Sequence, residues 1–235
     1  MQDLVLIPGL NNTAAVFDGV VSALPPQVRP HACTCPPLTS VEAIAQALQG
    51  DLPARFWLAG FSFGGYVALA MLERYPERVQ GIALLCTSPF ADTPAQQARR
   101  RQAMRTAREG GYGQMIEAQA ANAFHPASLA DARLMPARRA MVADYGADRF
   151  LAHMQAVIDR PDRSALLDGG IPVLVVAASH DNVFAAAALA DYAARIPGAS
   201  FQCIDEAGHL APMEKPAAVA AALAAWMSAG RSCGS

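Results

Sequence analysis

Phe56-Trp57-Leu58-Ala59-Gly60-Phe61-Ser62-Phe63-Gly64-Gly65-Tyr66-Val67-Ala68 reads as a strand, a turn and the start of a helix. The apolar run 56–59 has the length and bounding glycine of a buried strand. The segment after Gly65 reads as a helix that runs to about residue 75, where Pro76 punctuates it. Between them lies the pattern G-x-S-x-G. Glycines two positions either side of Ser62 remove the side chains that would obstruct a very tight turn. Such a turn projects the serine hydroxyl at the carboxyl end of the strand, beside a helix N-terminus. The strand before and the helix after make Ser62 a candidate nucleophile. Without that context the same residues mark only a turn whose serine caps a helix.

Outward from this turn the chain alternates short apolar runs with helix-like stretches. Strands are expected at 4–7, 28–33, 56–59 and 79–86. Asn12 and Thr13 are placed to cap a helix reaching about residue 24, and Ser40 to cap one reaching about residue 48. From 88 to 167 the alternation stops and helix formers dominate. It resumes with a long apolar strand at 171–178, a helix at 184–196, a strand at 200–204 and a last helix opened by Pro216. Strands joined through helices imply a parallel sheet covered on both faces. The expected organisation is one α/β core domain, 1–87 and 168–235, with about six mostly parallel strands and an all-helical insertion at 88–167.

A nucleophilic serine needs a base, and the base needs an orienting acid. Asp181 lies just past the strand at 171–178, and His209 lies in Gly208-His209-Leu210 after the last strand. Both positions are carboxyl ends of strands, the edge where ligands bind in open α/β sheets. Asp205 and Asp144 remain alternative acids at this stage. His31, His125, His153 and His180 have no spacing that suggests a metal site or acid–base work. An oxyanion requires donors, and the expected ones are the backbone N–H groups of Phe63 and Leu10, the latter in Pro8-Gly9-Leu10-Asn11.

Composition narrows the classes further. The 235 residues are 53% apolar and only 16% charged, enough for a large core and against disorder. The formal net charge of −2 gives no electrostatic reason to expect nucleic acid or a membrane surface. The run Arg99-Arg100-Arg101 reads as a solvated helix face, and nothing ties a cationic cluster to Ser62, so a small or medium, largely apolar ester is the expected substrate. Cys33, Cys35, Cys86, Cys203 and Cys233 are an odd set without C-x-x-C spacing, which fits buried thiols in a reducing compartment. The start Met1-Gln2-Asp3 has no basic leader, and no run is apolar enough for a membrane helix, so a cytoplasmic location is expected. No cofactor and no metal are expected. The sequence leaves the oligomeric state open.

On these stretches the chain resembles the α/β-hydrolase fold family along nearly its whole length. More narrowly it resembles small carboxylesterase-like members related to pimeloyl-carrier-protein methyl esterases and enol-lactone hydrolases. The stretches are Leu6-Ile7-Pro8-Gly9-Leu10, Gly60 to Ala68, Arg160-Pro161-Asp162-Arg163, and Gly208-His209-Leu210 with Glu214-Lys215-Pro216. Two departures stand out. Pro8-Gly9 replaces a His-Gly pair, and Ala178-Ser179-His180-Asp181-Asn182-Val183-Phe184 lacks the glycine and the Thr-Pro usual around the acid. The resemblance implies a start at what is the third strand of longer relatives. It also implies a helical cap at 88–167 that shapes the substrate pocket, and a Ser62–His209–Asp181 triad acting on a carboxylic ester. A lactone or thioester substrate, acyl transfer, lyase chemistry and a ligand-receptor role use the same framework.

Overall fold

The computed structural model describes residues 1–232, and Cys233 lies outside them. Six strands form one sheet: β1 (Gln2–Ile7), β2 (Val28–Ala32), β3 (Phe56–Phe61), β4 (Val79–Leu85), β5 (Val173–Ala178) and β6 (Ser200–Ile204). Their order is β2-β1-β3-β4-β5-β6, and all five pairings are parallel. β1, β3, β4 and β5 carry the long apolar runs because helices cover both of their faces. β2 and β6 are the edges and are more exposed, and β2 accommodates Pro30, a residue confined to edges because it cannot donate to a ladder.

Alternation along the strands builds two cores. Val5, Ile7, Leu58, Ile82, Leu84 and Val175 point to one face. There they pack under α2 (Val41–Leu48), α3 (Phe63–Arg74) and α9 (Ala186–Ala193). Leu4, Leu6, Trp57, Phe61, Leu85 and Val176 point to the other face. It is covered by α1 (Asp18–Ala23) and by α11 (Pro216–Ser232), which follows the short α10 (Ala211–Glu214). Trp57 of β3 meets Trp226 of α11 edge to face, with ring centroids 4.7 Å apart.

The caps explain where the sequence reading and the structure part. Ser40 caps α2 as expected, its hydroxyl accepting from the Ala43 N–H at 3.0 Å. Thr13 makes no such bond, and the chain enters α1 through a 3-10 turn at Ala14–Phe17. Asn12 donates instead to the Leu10 carbonyl at 2.6 Å. The helix expected from residue 184 begins at Ala186, because Phe184 lies in the turn before it.

Between β4 and β5 the chain is mostly helical. It forms α4 (Pro94–Thr106), α5 (Tyr112–Ala118), α6 (Ala120–Ala123), α7 (Pro126–Leu129) and the long α8 (Leu134–Asp159). Thr93 opens α4 with a capping box shared with Gln96. Gly146, at φ 76°, breaks the regular path of α8. This segment has a small core of its own, including Met104, Tyr112, Ile116, Tyr145, Phe150 and Met154.

Candidate active site

The turn between β3 and α3 holds Ser62 at φ 51° and ψ −117°, a left-handed backbone that is strained for a residue with a side chain. The surroundings force it. The Ser62 N–H donates to the Leu85 carbonyl at 2.9 Å, while its own carbonyl accepts from the Gly65 N–H and the Thr87 hydroxyl. The glycines are there for close approach. A Cβ on Gly60 would sit 2.4 Å from the Gly64 carbonyl oxygen, and one on Gly64 would sit 2.1 Å from the Ile7 carbonyl oxygen.

His209 and Asp181 meet Ser62 from two other strand ends. His209 Nε2 lies 3.0 Å from Ser62 Oγ, and His209 Nδ1 lies 2.8 Å from Asp181 Oδ2. The second carboxylate oxygen, Oδ1, accepts from the N–H groups of Val183 and Phe184 at 2.7 and 3.0 Å. Those two bonds close the acid's turn on its own side chain, so the loop keeps its shape without the glycine and Thr-Pro of its relatives. Asp205 and Asp144 are exposed; Asp205 only bonds the following N–H at Glu206, which leaves Asp181 as the acid in place. An imidazole held this way is oriented to take a proton from the hydroxyl at Nε2 while Nδ1–H faces the carboxylate.

Two residues around this chain of hydrogen bonds were given no role by the sequence reading. Glu214 accepts from the Gly208 N–H at 2.9 Å and from the His125 N–H at 2.7 Å, tying the histidine loop to the stretch before α7. Cys86 is fully buried at the end of β4, within 4.8 Å of both His209 and Asp181 ligand atoms. Burial and the neighbouring Asp181 carboxylate push its thiol well above the usual range. Its neighbours Asp181 and His209 are already engaged with each other and with Ser62. The position after a strand next to β5 is a signal for Cys86, but only once the strand order is known.

The expected oxyanion donors both border the site. Phe63 is the first residue of α3, where a helix N–H has no partner one turn back. Leu10 lies in the loop after β1, which turns at Asn11 with φ 60°. A Cβ on Gly9 would come within 3.1 Å of Ser62 Cβ, so the loop lies directly on the elbow. The helical segment grips this loop at Asn11. The Tyr112 hydroxyl donates to Asn11 Oδ1 at 3.1 Å, and Arg138 Nη1 donates to the Asn11 carbonyl at 2.9 Å.

A cavity of about 750 Å³ opens onto Ser62 and His209. Leu10, Phe63, Tyr66, Val183, Phe184 and Leu210 supply its apolar lining; Asn11, Asn12, Gln119, Asn122 and Asn182 supply polar groups. Arg99, Arg100 and Arg138 also line it. This corrects the expectation that no cationic cluster is tied to Ser62. The run at 99–101 is not simply a solvated face, because α4 turns its first two arginines toward the cavity and leaves Arg101 exposed. The correction was out of reach of local sequence, since Arg138 stands 76 positions from Ser62 and only the fold joins them.

The remaining histidines stand apart from the hydrogen-bonded chain. His31 pairs with Asp3 at the sheet edge. His125 and His180 meet edge to face. His153 is buried, stacks on Phe63 and is neutralised by its surroundings, its pKa pushed down to about 4 by burial.

A model of the alpha/beta hydrolase fold matches residues 38–216, a span that holds Ser62, Asp181 and His209. The chain belongs to the alpha/beta hydrolase fold family. Among curated relatives, a pimeloyl-[acyl-carrier protein] methyl ester esterase of Aromatoleum aromaticum is 26% identical over 91% of this chain and 93% of its own length. The enzyme of the same name from Nitrosomonas europaea is 33% identical, but the match spans only 37% of this chain and 38% of that protein. Among solved structures, an esterase from Thermogutta terrifontis superposes with a TM-score of 0.90 at 24% identity, covering 98% of this chain and 90% of that one. An enol-lactonase from Burkholderia xenovorans superposes with a TM-score of 0.83 at 20% identity, covering 97% and 91%. In this alpha/beta hydrolase no described helix is long and apolar enough to cross a membrane.

Proposed function

We propose that the chain is a carboxylic ester hydrolase working through an acyl-enzyme on a Ser62–His209–Asp181 triad. The observation that carries the reading is the continuous path Ser62 Oγ–His209 Nε2 and His209 Nδ1–Asp181 Oδ2, at 3.0 and 2.8 Å, open to a cavity. In this mechanism Ser62 Oγ attacks the ester carbonyl as His209 takes its proton at Nε2. The oxyanion is held by the N–H groups of Leu10 and Phe63. His209 returns the proton to the departing alcohol, and water repeats the sequence in reverse roles to release the acid. Asp181 fixes the imidazole tautomer and stabilises the imidazolium. No cofactor or metal takes part in any step. The helices at 88–167 serve as a cap, supported by the side chains α4, α6 and α8 give to the cavity. Relatives named for a methyl ester favour a small alcohol as leaving group.

The test is turnover of p-nitrophenyl acetate, butyrate and octanoate by wild type and by Ser62→Ala. The expected result is activity that vanishes in the variant, with Ser62 labelled by a fluorophosphonate. A folded protein that neither hydrolyses any ester nor takes the label overturns the reading.

A further inference from the structure

The cavity lining holds three guanidinium groups and, among the described residues, no carboxylate. The three are not equivalent. Arg100 is compensated by Asp92, which also pairs with Arg160 at 2.9 Å. Arg99 is exposed, and Arg138 is only 9% exposed; among the described residues neither has an acidic partner within ion-pair distance. Arg138 spends one donor on the Asn11 carbonyl, and among the described residues the rest of its five-donor fork has no acceptor. Burial lowers its pKa from the ordinary arginine value despite the pull of Glu117, a carboxylate that is itself paired with Arg139. Guanidinium groups remain charged in proteins, so this one cannot escape by losing its proton.

A buried cation without a counter-ion is costly, and its retention beside a reaction site points to an anion that arrives with the ligand. The guanidinium fork matches a carboxylate in two parallel hydrogen bonds. Its place is also defined. It bonds the carbonyl of the residue after Leu10, so it lies within roughly 10 Å of the Leu10 N–H, two steps along the backbone and one hydrogen bond. An anion held there is a few bonds from an ester carbonyl held at Ser62.

We propose that the cavity is built for an anionic ester: Arg138, seconded by Arg99, binds a carboxylate carried by the substrate a short chain away from the scissile carbonyl. This rests on the reading of Ser62 as nucleophile. It departs from the apolar ester that composition suggested, and it makes a half-ester of a short dicarboxylic acid the substrate class.

The experiment compares mono-p-nitrophenyl glutarate with p-nitrophenyl valerate, a neutral ester with the same number of acyl carbons. Wild type favours the charged ester in kcat/KM, with the advantage in KM. Arg138→Met cuts the charged-to-neutral ratio by about tenfold to a hundredfold, the worth of hydrogen bonds to a charged group. Arg99→Ala, an exposed change that cannot unfold the chain, cuts it by about threefold. If Arg138 only braces the oxyanion loop, Arg138→Met slows both esters alike and leaves the ratio untouched, which overturns the proposal. An unchanged ratio in Arg99→Ala together with a wild-type preference for the neutral ester overturns it even if Arg138→Met fails to fold. Calorimetry separates this from the catalytic reading. Monomethyl glutarate binding to Ser62→Ala, lost in Ser62→Ala/Arg138→Met, upholds the anion site even if no ester is turned over. No binding to Ser62→Ala refutes it.

Discussion

At the scale of single residues, two glycines separate geometry from composition. Gly64 sits where a methyl carbon would meet the Ile7 carbonyl oxygen at 2.1 Å, and backbone cannot step aside as a side-chain tip can. Gly64→Ala is expected to cost at least about 4 kcal/mol, a fall of roughly 10 °C in Tm for a domain of this size. Gly50 faces open space and has no left-handed backbone. Gly50→Ala is expected to gain about 0.4–1 kcal/mol by restricting the unfolded chain. Thermal unfolding of the pair, side by side, checks both signs. The same contrast explains which site residues could be read from sequence. Ser62, Asp181 and His209 each carry a local signature: a glycine-flanked turn, an acid at a strand end, a Gly-His loop. Arg138, Tyr112 and Cys86 carry none. Tyr112 and Arg138 reach Asn11 across 101 and 127 positions, and no spacing rule spans such distances.

At the scale of elements, a neutral histidine joins α8 to the core alongside its buried Met141, Ala156 and Val157. His153 Nε2–H donates to the Pro36 carbonyl at 2.7 Å, its Nδ1 accepts from the Tyr145 hydroxyl at 2.5 Å, and its ring stacks on Phe63 at 4.7 Å. Burial lowers its pKa from 6.5 to about 4. The unfolded chain therefore binds a proton that the folded chain refuses between these values, and stability drops as pH falls through that window. The full effect is on the order of 3 kcal/mol, complete near the lower limit. His153→Gln removes this contribution and leaves every other titrating group in place. The stability gap between wild type and variant, measured by urea unfolding, should narrow steadily from about pH 6.5 to about pH 4. A constant gap would mean that His153 is charged in the fold. The strands of this fold were legible because four of them are buried on both faces and written as unbroken apolar runs. Helix ends were less so. The start of α1 is displaced because Asn12 bonds the Leu10 carbonyl in the loop after β1 instead of capping, and that of α9 because Phe184 donates to Asp181.

At the scale of the whole molecule, the sheet and the helical segment at 88–167 are stabilised differently. The sheet is covered on both faces by two extensive cores. The segment rests on a smaller core and contains two left-handed glycines, Gly110 and Gly146, with two helices of four residues between them. Local opening needs little free energy where few apolar groups are buried and helices are shorter than cooperative length. Amide exchange is therefore expected to be faster across 107–133 than in β3 and β5 by at least about a hundredfold, the span between sub-global and global opening. Filling the cavity gives the sharper form of this prediction. Gln96, Arg99, Gln119 and Asn122 line it from α4 and from the short helices. A phosphonate diester formed on Ser62 with loss of fluoride places a phosphoryl oxygen and an alkyl group among these residues and joins them to the core side of the cavity. It should slow exchange in α4 to α6 while leaving the edge strand β6 and the helix α11 as they were. Protection confined to the turn at Ser62 would show that these helices only border the site. Protection spreading to 94–123 would make them the part of the molecule that closes on the substrate, and would place substrate choice in their side chains rather than in the sheet.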